Sequence, residues 1–366
     1  MTSALFSPIR LAGLELPNRI VVSPMCQYSA DDGAATDWHF THLGTLVNSG
    51  AALVVVEATG TERRGRITHG CLGLYSDDCE AALAQVVAHC RRYGNAKIGI
   101  QLAHAGRKAS AERPWEGGHP LAPEDDAWET IAASAIPFGP GWHVPRAMSA
   151  ADMERVREGF VQAARRAVRA GVDAIELHGA HGYLLHSFLS PISNKRNDEY
   201  GGTPEGRMRF PLEVAKAVRA AIPQDMPLGA RITGHDWIEG GLTADDAAAF
   251  ARALKDAGVD FVCVSSGGIS AAARPNLVPN MNVPFAETVK SKGGLPTRAV
   301  GLIATPKRAE AIVAEGKADM IALARAMLDN PHWGWHAAKV LGGEIARPKQ
   351  YQRASPKAWP GAMFAD

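Results

Sequence analysis

Short, nearly continuous apolar runs return along this chain at intervals filled by longer amphipathic stretches, and no other feature constrains the fold as strongly. The runs fall at Arg19–Ser23, Ala52–Glu57, Lys97–Leu102, Ala174–His178, Leu228–Ile232, Phe261–Ser265, Thr297–Val300 and Met320–Leu323. Each is too short for a helix, and the lack of polar alternation places it in a parallel sheet covered on both faces. Helical periodicity lies between them at Ala151–Ala170, Pro204–Ala221, Thr243–Ala257 and Pro306–Ala314. Gly171 and Gly258 stand just past two of these segments, where a left-handed cap ends a helix. Eight strand–helix units predict an α/β fold closed as a (β/α)8 TIM barrel, in preference to an open doubly wound sheet. With 366 residues, 46% of them hydrophobic, the chain can bury one large core, and residues 1–366 read as a single domain.

Two segments exceed what a barrel needs. Residues 106–145, after the third strand, carry Pro114, Pro120, Pro123, Pro137, Pro140 and Pro145 together with Trp115, Trp128 and Trp142. A connection of that length at a barrel strand's end predicts a lid or capping insertion. Residues 331–366, with Trp333, Trp335 and Trp359, form a C-terminal tail that must pack on the rest.

The chemistry concentrates where strands end, which is where barrel sites are built. His178, His181 and Tyr183 follow the fourth strand in Ile-Glu-Leu-His-Gly-Ala-His-Gly-Tyr (175–183), with Gly179 and Gly182 breaking the backbone between them. Two imidazoles and a phenol at a strand end suit polarisation of a carbonyl oxygen and delivery of a nearby proton. On spacing alone, two histidines three apart also fit a partial zinc site or hydrogen bonding within the core, although zinc needs a further protein ligand. Cys26 follows the first strand, Gln101 and His104–Lys108 the third, and Arg231 lies at the fifth, so four segments converge on one mouth.

Charge and cysteine usage narrow the partners. Thirty-nine basic residues against 38 acidic ones give a net charge of +1 with no basic stripe, which argues against nucleic acid and anionic membranes. Arg10, Glu15 and Arg19 interrupt the first twenty residues, and no apolar run approaches the roughly 18 residues of a membrane span, so a cytoplasmic location is expected. Cys26, Cys71, Cys79, Cys90 and Cys263 are odd in number and contain no Cys-x-x-Cys pair, so neither a disulfide framework nor an iron–sulfur cluster is indicated.

Four long motifs carry a family resemblance: Ser-Pro-Met-Cys-Gln-Tyr (23–28), Gln-Leu-Ala-His-Ala-Gly-Arg-Lys (101–108), His-Gly-Ala-His-Gly-Tyr-Leu-Leu-His-Ser-Phe-Leu-Ser-Pro (178–191) and Asn-Lys-Arg-Asn-Asp-Glu-Tyr-Gly-Gly (194–202). Their order and spacing, from about Leu5 to Gln-Tyr-Gln-Arg (350–353), resemble the Old Yellow Enzyme family, in particular its bacterial xenobiotic reductase A and YqjM-like branch of ene-reductases. The resemblance implies non-covalent FMN at the barrel mouth, reduced by NADPH or NADH and reoxidised by the activated C=C bond of an α,β-unsaturated carbonyl or nitro compound. The chain lacks a Gly-x-Gly-x-x-Gly fingerprint, consistent with a nicotinamide that docks over the flavin in alternation with the second substrate.

By the same resemblance His178 and His181 hold the substrate oxygen, and Tyr183 protonates the α-carbon. Arg231 faces the flavin's N1 and O2, where a fixed guanidinium suits anionic reduced flavin, and Gln101 and the Ala58 backbone contact the ring. Cys26, in the loop Ser23, Pro24, Met25, tunes the flavin as a weak donor, while Tyr28 and Lys108 lie on the substrate side. Gly301, Ala324 and Arg325 bind the phosphate, and Arg353 reaches a neighbouring subunit in a homodimer or homotetramer. Asn194–Gly202 and Arg207 pin the loop after the fourth strand. Three positions depart from the family pattern: Ala324 replaces a glycine, Leu302 stands where xenobiotic reductase has tryptophan, and no Gly-Trp follows Arg353.

Competing readings are a metal-dependent hydrolase using the histidine pair, a dienoyl-CoA-type reductase and a flavin-binding module. The first lacks strand-end carboxylates, the second lacks a cysteine cluster and extra domains, and the third leaves the His–His–Tyr set without a task.

Overall fold

All eight apolar runs become strands, and the strands close on themselves. The computed structural model describes residues 3–363. In chain order the strands are β1 (Ile9–Leu11), β2 (Leu14–Leu16), β3 (Ile20–Val22), β4 (Leu53–Gly60), β5 (Lys97–Ala103), β6 (Ile131–Ala132), β7 (Arg146–Ala147), β8 (Ala174–Gly179), β9 (Leu228–Thr233), β10 (Phe261–Ser265), β11 (Thr297–Val300) and β12 (Met320–Leu323). The barrel runs β3, β4, β5, β8, β9, β10, β11, β12 and closes by parallel pairing of β12 with β3. Helices cover its outside, as a parallel sheet requires. Ala150–Ala170 is typical: its Ser149 cap accepts from Asp152 N, and Gly171 ends it at φ +88°. β4 and β5 outrun their expected ends, and a bulge between Val56 and Ala58 turns Glu57 out of register at the mouth.

Two features of the barrel were not expected. The antiparallel hairpin β1–β2 precedes the first barrel strand, and its Leu11 and Leu16 pack with Val21, Leu53, Val55, Phe261 and Met320. The hairpin thus serves as a floor for the barrel. The other is a charged layer inside it: Gln101 Nε2 donates to Glu176 Oε1 at 2.7 Å, and the fully buried Arg298 pairs with Glu176 Oε2. Glu176 reads as part of an apolar run, yet its carboxylate is what pairs the arginine in a low-dielectric interior.

Residues 106–145 are not a structureless loop. They form three 3₁₀ turns, at Gly106–Lys108, Pro114–Glu116 and Pro123–Asp125, and a short parallel pairing of β6 with β7. Arg107, buried, donates to the carbonyls of Ile136 and Pro137 at 3.2 and 3.1 Å and to that of Ile269, tying the segment to the loop after β10. Arg196 donates to Ala133 O and Met148 O, while Asn194 Nδ2 and Arg207 hold carbonyls of Phe188, Tyr200 and Leu189. The 194–207 segment is therefore a structural clamp. The tail also divides: helix Trp333–Leu341 belongs to the barrel's coat, with Trp333 buried and donating to Ala304 O, whereas Lys349–Ala354 and Pro360–Met363 are 3₁₀ turns. Among the described residues no helix is long and apolar enough to cross a membrane.

Candidate active site

β8 ends at Gly179, and the loop after it is forced into an unusual path. His181 and Gly182 take φ of +59° and +78°, and a Cβ on Gly182 would lie 2.0 Å from Gly268 O. Only glycine fits that approach. The path stacks three rings edge to face: His178 and Tyr183 centroids are 4.8 Å apart, and those of His178 and His181 5.0 Å. Ala180 N donates to His178 Nδ1 at 3.2 Å, which puts the proton of a neutral ring on Nε2, 3.3 Å from His181 Nδ1. His181 then carries its proton on Nε2, toward Ser265 Oγ at 2.8 Å. Burial, followed by the positive charges of Arg231 and neighbours, holds both imidazoles well below their ordinary pKa, so the pair is neutral at pH 7. Burial also pushes the Tyr183 phenol upward, keeping its proton available.

Lys108 approaches the loop from the 106–145 segment. Its Nζ donates to His181 O at 2.9 Å and Gly268 O at 3.3 Å, and lies over the rings of Phe138 and Tyr183. Burial, then the charge of Arg107, brings its pKa down to about 8.

Opposite this set stands the loop after β3. Glu57, buried and set out of register by the bulge, accepts Gln27 N on Oε2 at 2.8 Å, and His39 Nε2 backs Oε1 at 3.3 Å. That single amide fixes the backbone between Cys26 and Tyr28. The Cys26 thiol interacts with the Ala58 backbone and the Tyr28 side chain; burial first, and Glu57 next, raise its pKa well above the usual thiol value. It therefore stays a thiol. Tyr28 has φ +51°, its carbonyl accepts from Arg113 Nε at 3.0 Å, and its ring meets Trp115 edge to face at 5.9 Å. Ala58, Ala103 and Tyr183 line one small void, and Cys26 and Tyr28 lie close enough to Tyr183 to interact with it electrostatically.

A cavity of about 720 Å³ opens beside the rings along the ends of β9 to β12, lined by Arg231, Gly268, Gly301, Leu302, Ala324 and Arg325 among others. Arg231 donates to Ser23 Oγ at 3.2 Å, but its Nε is buried without a partner. Arg325 is exposed on the rim and Leu302 is 36% exposed. An unspent buried guanidinium donor, the flanking Gly301 and a rim arginine form a cradle for a planar, anionic group with a phosphate. These residues fit FMN.

The structure thus sets His178, His181, Tyr183 and Lys108 against Cys26, Tyr28 and Ala58, and Ser23, Arg231, Gly301, Ala324 and Arg325 along the cavity. Pro24 and Met25 lie half-buried in the connecting loop. Gln101 has one amide proton committed to Glu176. Arg353 is set apart, exposed on the 3₁₀ segment Lys349–Ala354. Sequence reasoning missed Ser265, which ends an expected strand, and Glu57, which ends another; the strand-end rule alone would have pointed to both.

Comparison with known proteins agrees with this geometry. The NADH:flavin oxidoreductase / NADH oxidase family matches residues 4–343. An NADPH dehydrogenase of Geobacillus sp. (strain WCH70) is 44% identical over 355 residues, covering 96% of this chain and 99% of the relative. The structure of morphinone reductase in complex with tetrahydroNAD aligns with a TM-score of 0.77 at 26% identity, covering 94% of this chain and 92% of that one. A 2-naphthoyl-CoA reductase aligns with a TM-score of 0.83 at 25% identity over 92% of this chain, which spans only 52% of that longer protein. On the family match and the near full-length relatives, the chain belongs to the NADH:flavin oxidoreductase / NADH oxidase family, that of Old Yellow Enzyme.

Proposed function

We propose that this enzyme, an FMN-dependent oxidoreductase that takes hydride from NADH or NADPH, reduces the activated C=C bond of α,β-unsaturated carbonyl and related nitro compounds. The reading rests on one observation: the rings of His178, His181 and Tyr183 meet edge to face at the end of β8 with the Lys108 ammonium over the phenol, where burial favours neutral imidazoles and a protonated phenol. When bound, the flavin supplies hydride to the β-carbon. His178 and His181 hold the substrate's carbonyl or nitro oxygen, and their N–H groups stabilise the negative charge that gathers on it. To do so His178 exchanges its His181 Nδ1 partner and His181 its Ser265 partner for that oxygen, and the Ser265 hydroxyl, buried on the cavity wall, can rotate as it is released. Tyr183 gives its proton to the α-carbon, and Tyr28 contacts the substrate from the other loop.

Arg231 and Gln101 hold the flavin ring, with the Ala58 backbone and the Ser23–Cys26 loop along its edge. Gly301, Ala324 and Arg325 take the phosphate. The 106–145 insertion acts as a lid, consistent with Trp115 on Tyr28 and Phe138 against Lys108. We further read the chain as a cytoplasmic homodimer or homotetramer of the xenobiotic reductase A / YqjM-like branch, in which Arg353 reaches the partner's site.

Anaerobic spectroscopy tests this. The protein should be yellow, bleach with NADPH and regain colour with cyclohexenone. Tyr183→Phe should leave bleaching intact but slow recovery by roughly 10²-fold. Recovery by enone at the parent rate in that variant would remove the proton-donor role, and protein that never retains FMN would overturn the whole reading.

A further inference from the structure

Behind the loop that carries His181 and Tyr183 lies a second histidine–acid pair, fully enclosed by protein. His186 and Asp236 are each 0% exposed, with His186 Nε2 3.1 Å from Asp236 Oδ1. The ring's other nitrogen faces the site: Gly182 N donates to His186 Nδ1 at 2.8 Å. Because Nδ1 accepts, the proton of this imidazole must lie on Nε2, toward the carboxylate. Asp236 Oδ2 is already committed, accepting from Ser190 Oγ at 2.7 Å and Leu242 N at 2.8 Å. Burial pulls the Asp236 pKa up, but the His186 ring and these donors outweigh it and keep the group a carboxylate.

The arrangement is costly to assemble, and it reaches the site through the Gly182 amide and, at a longer 3.5 Å, through Thr233 Oγ1. His181 is held with φ +59°, a conformation that persists in a non-glycine residue only when its surroundings over-determine it. Thr233 Oγ1 accepts His181 N at 3.3 Å, and the peptide joining His181 to Gly182 is held at both ends, its C=O by Lys108 and its N–H by His186. We propose that Asp236 and His186 form a positioning dyad, in which the carboxylate selects the imidazole tautomer that accepts Gly182 N–H and thereby aims His181 and Tyr183 at the substrate. The proposal rests on the alkene-reductase reading for what is aimed, and on geometry alone for the tautomer.

The tautomer makes the idea testable with near-isosteric changes. In Asp236→Asn the amide oxygen must stay where Ser190 and Leu242 donate, so its NH₂ faces His186 Nε2. The ring then moves its proton to Nδ1, and Nδ1–H opposes Gly182 N–H. Asparagine at 186 places a carbonyl oxygen near the position of Nδ1 and still accepts from Gly182, whereas glutamine reaches Asp236 instead.

In FMN-loaded enzyme labelled with ¹⁵N at imidazole, two-bond ¹H–¹⁵N correlation should show His186 with its proton on Nε2 in the parent and on Nδ1 in Asp236→Asn. Reoxidation by cyclohexenone should slow about 10- to 100-fold in Asp236→Asn and His186→Gln, while His186→Asn stays within about threefold of the parent. An unchanged tautomer in Asp236→Asn, or an inverted one with reoxidation at the parent rate, overturns the dyad. So does a His186→Asn variant that retains flavin yet falls as far as His186→Gln. A parent enzyme inert toward enones would sink the alkene reading, and the tautomer measurement would still decide what Asp236 does.

Discussion

The two halves of the barrel mouth are built on opposite plans. On the His178–Tyr183 side the protein satisfies itself: Ala180 N, Ser265, Lys108, Thr233 and His186 each take up a polar atom of the loop. Along the ends of β9 to β12 it leaves a cavity of about 720 Å³, an Arg231 Nε without a partner and an exposed Arg325. On the function proposed above, the first half would be pre-set for the charge that develops during reaction, and the second would take the cofactor. Preorganised donors gain their value by being fixed before the reaction, whereas a cofactor cradle gains its own by being empty of protein partners.

The sharpest way to break the contrast is to remove the donors themselves. Changing His178→Ala and His181→Ala together should weaken binding of a phenol to the oxidised enzyme, read from its charge-transfer band, by roughly 10²–10³-fold, with FMN content preserved. Loss of FMN in that variant would mean that the two halves are not separable.

Next in size is the backbone of the closed half. Gly182→Ala should lower stability by more than about 3 kcal/mol in denaturant unfolding, because its Cβ would meet Gly268 O at 2.0 Å as well as paying for φ +78°. Gly316→Ala isolates the conformational part: φ is +74° there and nothing lies within 4 Å, so about 1 kcal/mol is expected. Equal losses at the two positions would show that crowding against Gly268 is unimportant.

The same contrast explains what could be read from sequence. Buried parallel strands such as Phe261–Ser265 and Met320–Leu323 are near-continuous apolar words, and both match their expected limits. The hairpin β1–β2 has strands of three residues each, too short for periodicity to register. Gly301 and Ala324, which the family motifs single out in the open half, both line its cavity. In the closed half the decisive facts are nitrogen by nitrogen. No spacing rule says that His181 Nε2 faces Ser265, or that Glu176, within an apolar run, meets an arginine 122 residues away. Lys108 illustrates the gap: the family motif points to the substrate side, but no sequence rule says that its ammonium lies among Phe138, Tyr183 and two carbonyls.

Lys108 also gives the closed half a pH signature of modest size. Burial, followed by Arg107, lowers its pKa from 10.5 to about 8. The unfolded chain keeps this proton up to about pH 10.5, so between pH 8 and 10.5 it binds more protons than the native state. The group's contribution to stability therefore rises with pH across that window, while its ammonium grip on His181 O weakens as pH rises through 8. His178 and His181 are neutral on both sides of this step, and Tyr183 keeps its proton. Phenol affinity should fall about two- to fivefold with a midpoint near pH 8, and the step should vanish in Lys108→Met. A step that survives in Lys108→Met belongs to another group.

The smallest effect is expected in the open half, at Ala324. Its methyl lies on the cavity wall where the family usually has glycine, at φ −112° and ψ −93°, so no left-handed requirement selects either residue. Ala324→Gly removes the methyl from the phosphate's space and frees the amide to move toward it, while glycine's larger unfolded-state entropy costs up to about 1 kcal/mol of stability. FMN affinity, from fluorescence quenching on reconstitution, should therefore tighten by no more than about threefold. A loss of tenfold or more would mean that the methyl packs against the cofactor, and that this half of the mouth is as rigidly pre-set as the half across from it.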